Sequence, residues 1–191
     1  MDIEQAQRDV RTTFLGGFVG QTVSGTLWLA SAALATWGSA RASILVLVVG
    51  GMFIFPLTLL GLRLLGRPAG LPNGHPMNAL GLQAALVLPL CLPVVGAAAL
   101  HRLEWFFPAM MVILGAHYLP FVFLYGMKMF AALSVILVAS GVALGYRASP
   151  DGWSAGGWLT GILLLAFALL GRALVRRELS RPAGMISPEF A

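Results

Sequence analysis

Residues 106–127 read FFPAMMVILGAHYLPFVFLYGM, and the run contains no Asp, Glu, Lys or Arg. An α-helix rises about 1.5 Å per residue, so about 20 apolar residues cross the roughly 30 Å hydrocarbon core of a bilayer. The run therefore predicts a membrane-spanning helix. Five further stretches share this length and apolar character, at 14–36, 42–62, 79–100, 129–146 and 153–174.

The overall composition is that of a chain whose main solvent is lipid. Of the 191 residues, 59% are hydrophobic and 10% are charged. Little sequence remains outside the six runs, so we expect a single transmembrane domain over 1–191. The predicted fold class is an all-α integral membrane protein, a six-helix bundle with a short N-terminal segment at 1–13 and a C-terminal tail at 175–191.

The 12 Lys and Arg residues are distributed unequally over the two sides that six crossings define. One side carries only Arg41, Arg102 and Arg147. The other side carries the rest, namely Arg8, Arg11, Arg63, Arg67, Lys128, Arg172, Arg176, Arg177 and Arg181. Because basic residues accumulate on the cytoplasmic side, we expect both termini to be cytoplasmic, in the inner membrane of a bacterium. Basic residues in loops and tail meet lipid headgroups, so the net charge of +5 does not indicate a nucleic-acid partner.

Small residues recur four apart in three of the predicted helices. Such ladders let helix backbones approach closely in lipid, where packing and hydrogen bonds drive association. The predicted packing positions are Gly16, Gly20 and Ser24 in the first run, Gly141 and Gly145 in the fifth, and Gly157 and Gly161 in the sixth. The first helix is therefore expected at the centre of the bundle, and the same ladders allow a homo-oligomer.

His117 lies near the middle of the 106–127 run, at the expected depth of the bilayer midplane. An ionisable side chain at that depth is costly unless it faces the bundle interior and has a partner. We predict a polar cavity between the first, third and fourth helices, lined by Gln21, Gln83, His117 and Tyr118. Two interpretations stay open: a ligand-binding site, or a contact between helices in which His117 bonds Gln21 or Gln83.

The sequence predicts no metal and no cofactor. Cys91 is the only cysteine, and His75 and His101 are expected at opposite membrane faces, so neither a cysteine metal cluster nor a haem ligand pair is available. Paired carboxylates, a zinc-protease motif and a nucleotide-binding loop are also missing from the sequence. These absences disfavour an enzyme.

Prolines and one long connector predict the irregular parts of the chain. Pro56 predicts a kink near Phe55, and Pro89 with Pro93 predicts kinks between residues 88 and 92. The connector 63–78 is rich in Pro and Gly and should be an irregular loop.

Several segments resemble one family of small bacterial membrane proteins with six helices. These are EQAQRDVR at 4–11, FLGG at 14–17, VSG at 23–25 followed by Trp28, and EWFFPAM at 104–110, with Pro56 between them. The family has no known function. The resemblance implies a bacterial inner-membrane location and six crossings, and it implies no active site.

Three functional hypotheses are compatible with the sequence. The first is a small non-enzymatic carrier, channel or binding protein for a small or lipid-like molecule, in contact with membrane lipid. The second is a structural or accessory membrane subunit that assembles through its glycine-rich helix faces. The third is a lipid-acting membrane enzyme with His117 as base, for which only Tyr118 or Ser24 offers a second reactive group.

Overall fold

The structure is a computed structural model that describes residues 2–180. Within that range the chain forms α-helices and no strand. The helices are α1 Ile3–Thr13, α2 Phe18–Trp37, α3 Ala40–Met52, α4 Ile54–Leu64, α5 Met77–His101, α6 Phe106–Tyr125, α7 Met129–Tyr146 and α8 Ala155–Leu179. Short 3₁₀ turns lie at Leu15–Gly17, Leu103–Trp105 and Pro150–Gly152. The predicted all-α class is confirmed.

Five helical segments are long and apolar enough to cross a membrane, and α3 with α4 makes a sixth if the pair forms one bent span. These segments follow the six apolar runs closely. The N-terminal segment is not part of the first span, because the turn Leu15–Gly17 separates α1 from α2.

The second apolar run is broken rather than merely bent. α3 and α4 meet at Phe53 with an angle of 60° between them. Pro56 has no N–H to donate to the carbonyl of Met52, one turn earlier, and its ring crowds that carbonyl. The break therefore falls at Phe53, slightly before the predicted position near Phe55. In contrast, α5 continues as one helix through Pro89 and Pro93.

The closest backbone approach in the molecule is between α2, with the turn before it, and α8. A methyl group added at Gly16 would lie 2.6 Å from the carbonyl oxygen of Gly171, and one added at Gly25 would lie 3.1 Å from that of Gly161. Further along, a methyl group on Gly157 would lie 2.9 Å from the Cβ of Ala32. Only glycine permits backbones this close, so the sequence of small residues sets the pairing of these two helices.

The remaining ladder positions have different partners. Gly20 lies beside Thr58 of α4, and Ser24 is buried. Gly141 packs against Pro108 and Met111 of α6. The structure thus divides the predicted ladder of the first helix between two neighbours, and the glycines of α7 serve the contact with α6.

α5 and the α3–α4 pair lie at the periphery of the bundle. α5 packs mainly on α6, and α3 and α4 pack mainly on α2. Along α5, one exposed strip contains Leu82, Leu86, Leu90 and Val94 at intervals of four residues. These side chains are 45–74% exposed, so the natural environment of the strip is apolar solvent or a partner.

α8 continues past the sixth apolar run to Leu179, inside the predicted tail. Residues 181–191 of that tail, with Arg181, lie outside the described residues.

Substituting Gly16 with Ala tests the contact between the turn and α8. Gly16 has a φ of +66° and faces Gly171, so we expect Gly16→Ala to lower the free energy of unfolding by roughly 2–5 kcal/mol through backbone strain and steric overlap. Gly66 is a matched control, because its φ is +68° and a methyl group there meets no atom within 4 Å. Gly66→Ala should cost only the strain, about 1 kcal/mol. Thermal unfolding in detergent measures both, and equal losses would contradict the proposed crowding.

Candidate functional site

A left-handed turn orients the first long helix. Leu15, Gly16 and Gly17 have φ values of 53°, 66° and 83°. Glycine adopts this region freely, whereas Leu15 is strained in it. The turn lets α2 start at Phe18 in a new direction and brings Gln21, one helical turn later, into the interior.

Gln21 is, with Thr160, a buried polar residue of the interior that lacks a hydrogen-bond partner within the described residues. The residue is only 3% exposed, and neither Nε2 nor Oε1 of its side chain has a hydrogen-bond partner within the described residues. The Tyr118 side chain faces Gln21 from α6, but outside the geometry of a hydrogen bond to either amide atom. Each buried polar group without a partner costs about 1–3 kcal/mol. The amide of Gln21 therefore lowers the stability of the protein unless a bound molecule forms hydrogen bonds with it.

The rings of Tyr118 from α6 and Phe130 from α7 lie beside this amide. Tyr118 stacks with Phe130 at a centroid distance of 6.0 Å and an interplanar angle of 11°, and Phe121 stacks with Tyr125 at 5.6 Å and 11°. A methyl group added at Gly17 would lie 3.2 Å from Cζ of Phe130 and 3.5 Å from Oε1 of Gln21. Gly17 is thus the point where the turn, the amide and the rings meet.

His117 is held by the neighbouring helix α5. Its Nδ1 lies 2.7 Å from the carbonyl oxygen of Ala84, and because a carbonyl can only accept, Nδ1 carries the proton. In the neutral ring, Nε2 is then the free acceptor. The His117 ring also contacts Tyr118 and Phe121, at centroid distances of 5.5 and 4.9 Å.

The structure brings together part of the predicted cavity lining. Gln21 and Tyr118 face each other, and His117 adjoins Tyr118. Gln83 lies on the exposed side of α5, one residue before the carbonyl that His117 bonds. The partner of His117 is therefore a backbone carbonyl, not the side chain of Gln21 or Gln83 that the sequence suggested.

A further polar network was not predicted from the sequence. It lies where α1, the turn between α6 and α7, and the last turn of α8 meet. We name this end of the bundle the terminal face. Gln7 donates from Nε2 to the carbonyl of Phe123 at 2.6 Å, which satisfies an acceptor at the end of α6. Asp9 approaches Nε2 of His75 at 3.5 Å, which ties the long connector to α1. The signal available in the sequence was the segment EQAQRDVR at 4–11, whose polar residues alternate with the buried Ala6 and Val10.

The strongest ion pair of the terminal face joins the two ends of the described chain. Arg11 donates from Nε and Nη2 to the two carboxylate oxygens of Glu178, at 2.8 and 2.7 Å. Arg8 lies 3.4 Å from the same carboxylate. Hydrogen bonding to Glu178 raises the pKa of Arg11, although burial of the guanidinium acts against it. A bidentate pair of this kind fixes orientation as well as distance, so α1 is docked on α8 in one geometry.

The best-formed clefts lie at the two ends of the bundle. One, of about 360 Å³, opens at the terminal face and is lined by Arg11, Gly126, Met127, Lys128, Met129, Leu174, Val175 and Glu178. The other, of about 170 Å³, lies at the opposite end and includes Glu104, Pro108, Arg147 and Trp153 in its lining. Gln21, His117 and Tyr118 line neither cleft.

The acidic, histidine and cysteine side chains are dispersed. Across residues 2–180, no group of three or more of them is placed to hold a metal ion. Ser31 and Ser43 bond each other at 3.0 Å and join α2 to α3, which is a structural contact.

A model described as a family of unknown function (DUF7010) matches residues 3–173, which include α1 to α7 and most of α8. No curated protein and no solved structure matches the chain.

Replacing Gln21 with Met tests whether its amide lacks a partner. Met has a similar length and no polar group, so Gln21→Met should raise the free energy of unfolding by roughly 1–3 kcal/mol. The exposed Gln83 provides the control, and Gln83→Met should leave stability within about 0.5 kcal/mol. Denaturation of the delipidated proteins in mixed micelles, followed by tryptophan fluorescence, measures both. A destabilised Gln21→Met protein would mean that the amide is already bonded.

Proposed function

The chain belongs to the DUF7010 family. We propose that it is a multi-pass membrane protein that binds or carries a small or lipid-like molecule without converting it chemically. Gln21 with the aromatic rings of α6 and α7 forms its interior site. The proposed location is the cytoplasmic membrane of a bacterium, with both termini inside.

The surface of the protein supports the membrane setting. Besides the exposed strip of α5, Phe53 and Phe55 at the bend between α3 and α4 are also exposed. In water these surfaces would exceed what a monomer leaves uncovered, whereas acyl chains cover them at no cost. Trp37 and Tyr146, 76% and 90% exposed, lie at the end away from the terminal face, as expected for side chains at a membrane interface.

The observation that carries the binding proposal is the unpartnered amide of Gln21. The rings of Tyr118 and Phe130 lie beside it, and Tyr118 supplies one hydroxyl. Sites for small molecules combine apolar and aromatic walls with a few fixed polar groups. A ligand that is largely apolar and has one group able both to donate and to accept would satisfy the amide. This chemistry fits a small lipid-like molecule better than a charged metabolite.

The same glycines argue against assembly as the main function. Gly16, Gly157 and Gly161 are used in contacts between α2 and α8, and Gly141 in the contact between α7 and α6. A subunit that assembles through these faces would have to expose them. The carboxylates described are also confined to the ends of the bundle and the loops, so coupling to a proton through a membrane carboxylate has no candidate within residues 2–180.

Native mass spectrometry of the detergent-purified protein tests the binding proposal. We expect the wild-type protein to retain a small molecule or lipid, and Gln21→Met to lose most of it, although the variant is the more stable of the two once both are free of ligand. A contact with no function would give the opposite pattern, with equal retention in both. His117→Leu is the second variant, and its loss of ligand would extend the site to Nε2 of His117.

Gln83→Met is the control for both variants, because Gln83 is exposed on α5. Equal adduct mass in all four proteins, or no adduct in any, would contradict the binding proposal.

A topology reporter tests the proposed orientation. A fusion after Arg41, in the connection between the first two crossings, should read as periplasmic, because nine of the 12 Lys and Arg residues fall on the other side. A fusion in the connector at 67–72 should read as cytoplasmic. The reverse pair of signals would invert the orientation and make the terminal face extracytoplasmic.

A further inference from the structure

The terminal cleft, lined as described above, has a charged part and an apolar part. Arg11, Lys128 and Glu178 supply the charges, and Met127, Met129, Leu174 and Val175 supply the apolar wall. At about 360 Å³ it is within the range of small-molecule sites. The interior site does not account for it, since Gln21 and its aromatic neighbours are not part of the lining.

The net charge of the terminal cleft is positive. The single carboxylate is compensated by the bidentate bond from Arg11 and by Arg8 at 3.4 Å. A guanidinium has five N–H donors, and Glu178 accepts from two of those of Arg11. Lys128 forms no ion pair within residues 2–180. The cleft therefore favours an anion over a cation.

The backbone adds donors to the same wall. Gly126, with φ of +64°, ends α6: its N–H bonds the carbonyl of Phe123, while the N–H of Met127 bonds that of Val122. α7 starts immediately afterwards, at Met129. The first N–H groups of a helix have no acceptor within it and carry partial positive charge. Lys128 and Met129 line the cleft, so the partial positive charge of the start of α7 adds to that of the Lys128 ammonium group.

The apolar part of the cleft is reachable from the side of the bundle. α7 and α8 pack only loosely against each other compared with α2 and α8. Leu174 on α8 is 39% exposed and Lys128 is exposed, whereas Met129 and Val175 are buried behind them. An acyl chain can thus lie along Leu174 while a polar group reaches Lys128, which stands at the end of two apolar helices, where a lysine meets lipid headgroups.

We propose that the terminal cleft is a binding site for a phosphate ester carried on an apolar chain, that is, the headgroup of an anionic phospholipid. The phosphate contacts Lys128, the first N–H groups of α7 and the remaining donors of Arg11. The glycerol and the first part of the acyl chains contact Met127, Met129 and Leu174. This inference rests on the proposed function only for its membrane setting; it names a second site and the chemistry of its ligand.

Binding of short-chain lipids to the detergent-purified full chain, followed by native mass spectrometry, tests this assignment. Dioctanoyl phosphatidylglycerol should bind the wild-type protein with one saturable site. Lys128→Gln should weaken that binding about tenfold, since a charge-assisted contact to phosphate is lost. Lys128→Arg should restore it, because the positive charge is retained.

Arg67→Gln is the matched control. Arg67 is exposed in the connector that His75 ties to α1, and it is absent from the cleft lining, so the variant removes the same charge from the same end of the bundle. Its affinity for the lipid should stay within about twofold of wild type. Equal weakening in Lys128→Gln and Arg67→Gln would reduce the effect to general surface charge and overturn the assignment.

Two further arms separate the source of the phosphate and the two sites. Glycerol 3-phosphate, a soluble phosphate ester, should fail to displace the lipid at millimolar concentration; displacement would overturn the lipid assignment in favour of a soluble phosphate ester. Gln21→Met should bind phosphatidylglycerol as the wild type does, whatever happens to the ligand of the interior site. Loss of lipid binding in Gln21→Met with retention in Lys128→Gln would likewise overturn the assignment of the terminal cleft.

Discussion

The close backbone contact between the Leu15–Gly17 turn with α2 and the helix α8 is the constraint on which the remaining structure depends. Gly16 and Gly171 approach so closely that neither position has room for a methyl group, and Gly25 with Gly161 repeats the contact further along. In lipid, apolar side chains gain little by meeting each other, so shape and close approach decide which helices pair. This pairing holds the first and last long helices together and fixes the side of α2 that carries Gln21.

The polar groups of the protein follow from that arrangement. Near the terminal face they are bonded to one another: Gln7 to the end of α6, and Arg11 to Glu178 at the end of α8. α1 therefore serves as a strap across the bundle, and this explains why a short helix outside the apolar runs is part of the folded protein. In the interior, by contrast, His117 is bonded to Ala84 and Gln21 has no partner. An amide left in this state costs free energy, and that cost is the physical reason to assign the interior site a binding role.

The two proposed sites differ in the chemistry they offer. The interior combines one amide and one hydroxyl with aromatic rings, which suits a ligand that is mostly apolar and uncharged. The terminal cleft combines a net positive charge with an apolar wall that is open to the side of the bundle. Met129 lines the cleft and also packs at the contact of the turn with α8, since its Cε would lie 3.1 Å from a methyl group at Gly171.

The sequence by itself determined the all-α class, the positions of the apolar helices and the resemblance to an uncharacterised family, and a family of unknown function indeed matches residues 3–173. These follow from local properties, because the length and charge of a segment decide whether it forms an apolar helix. Tertiary structure alone decided which glycine faces which helix, that His117 bonds a backbone carbonyl, that Gln83 points outward, and that Arg11 reaches Glu178. A four-residue spacing of small side chains is compatible with several neighbours, and the direction of a side chain depends on how a helix is rotated against its partners. The left-handed turn at Leu15–Gly17 fixes that rotation for α2. Gln21 is buried as a result, because the turn and α2 pack closely on α8.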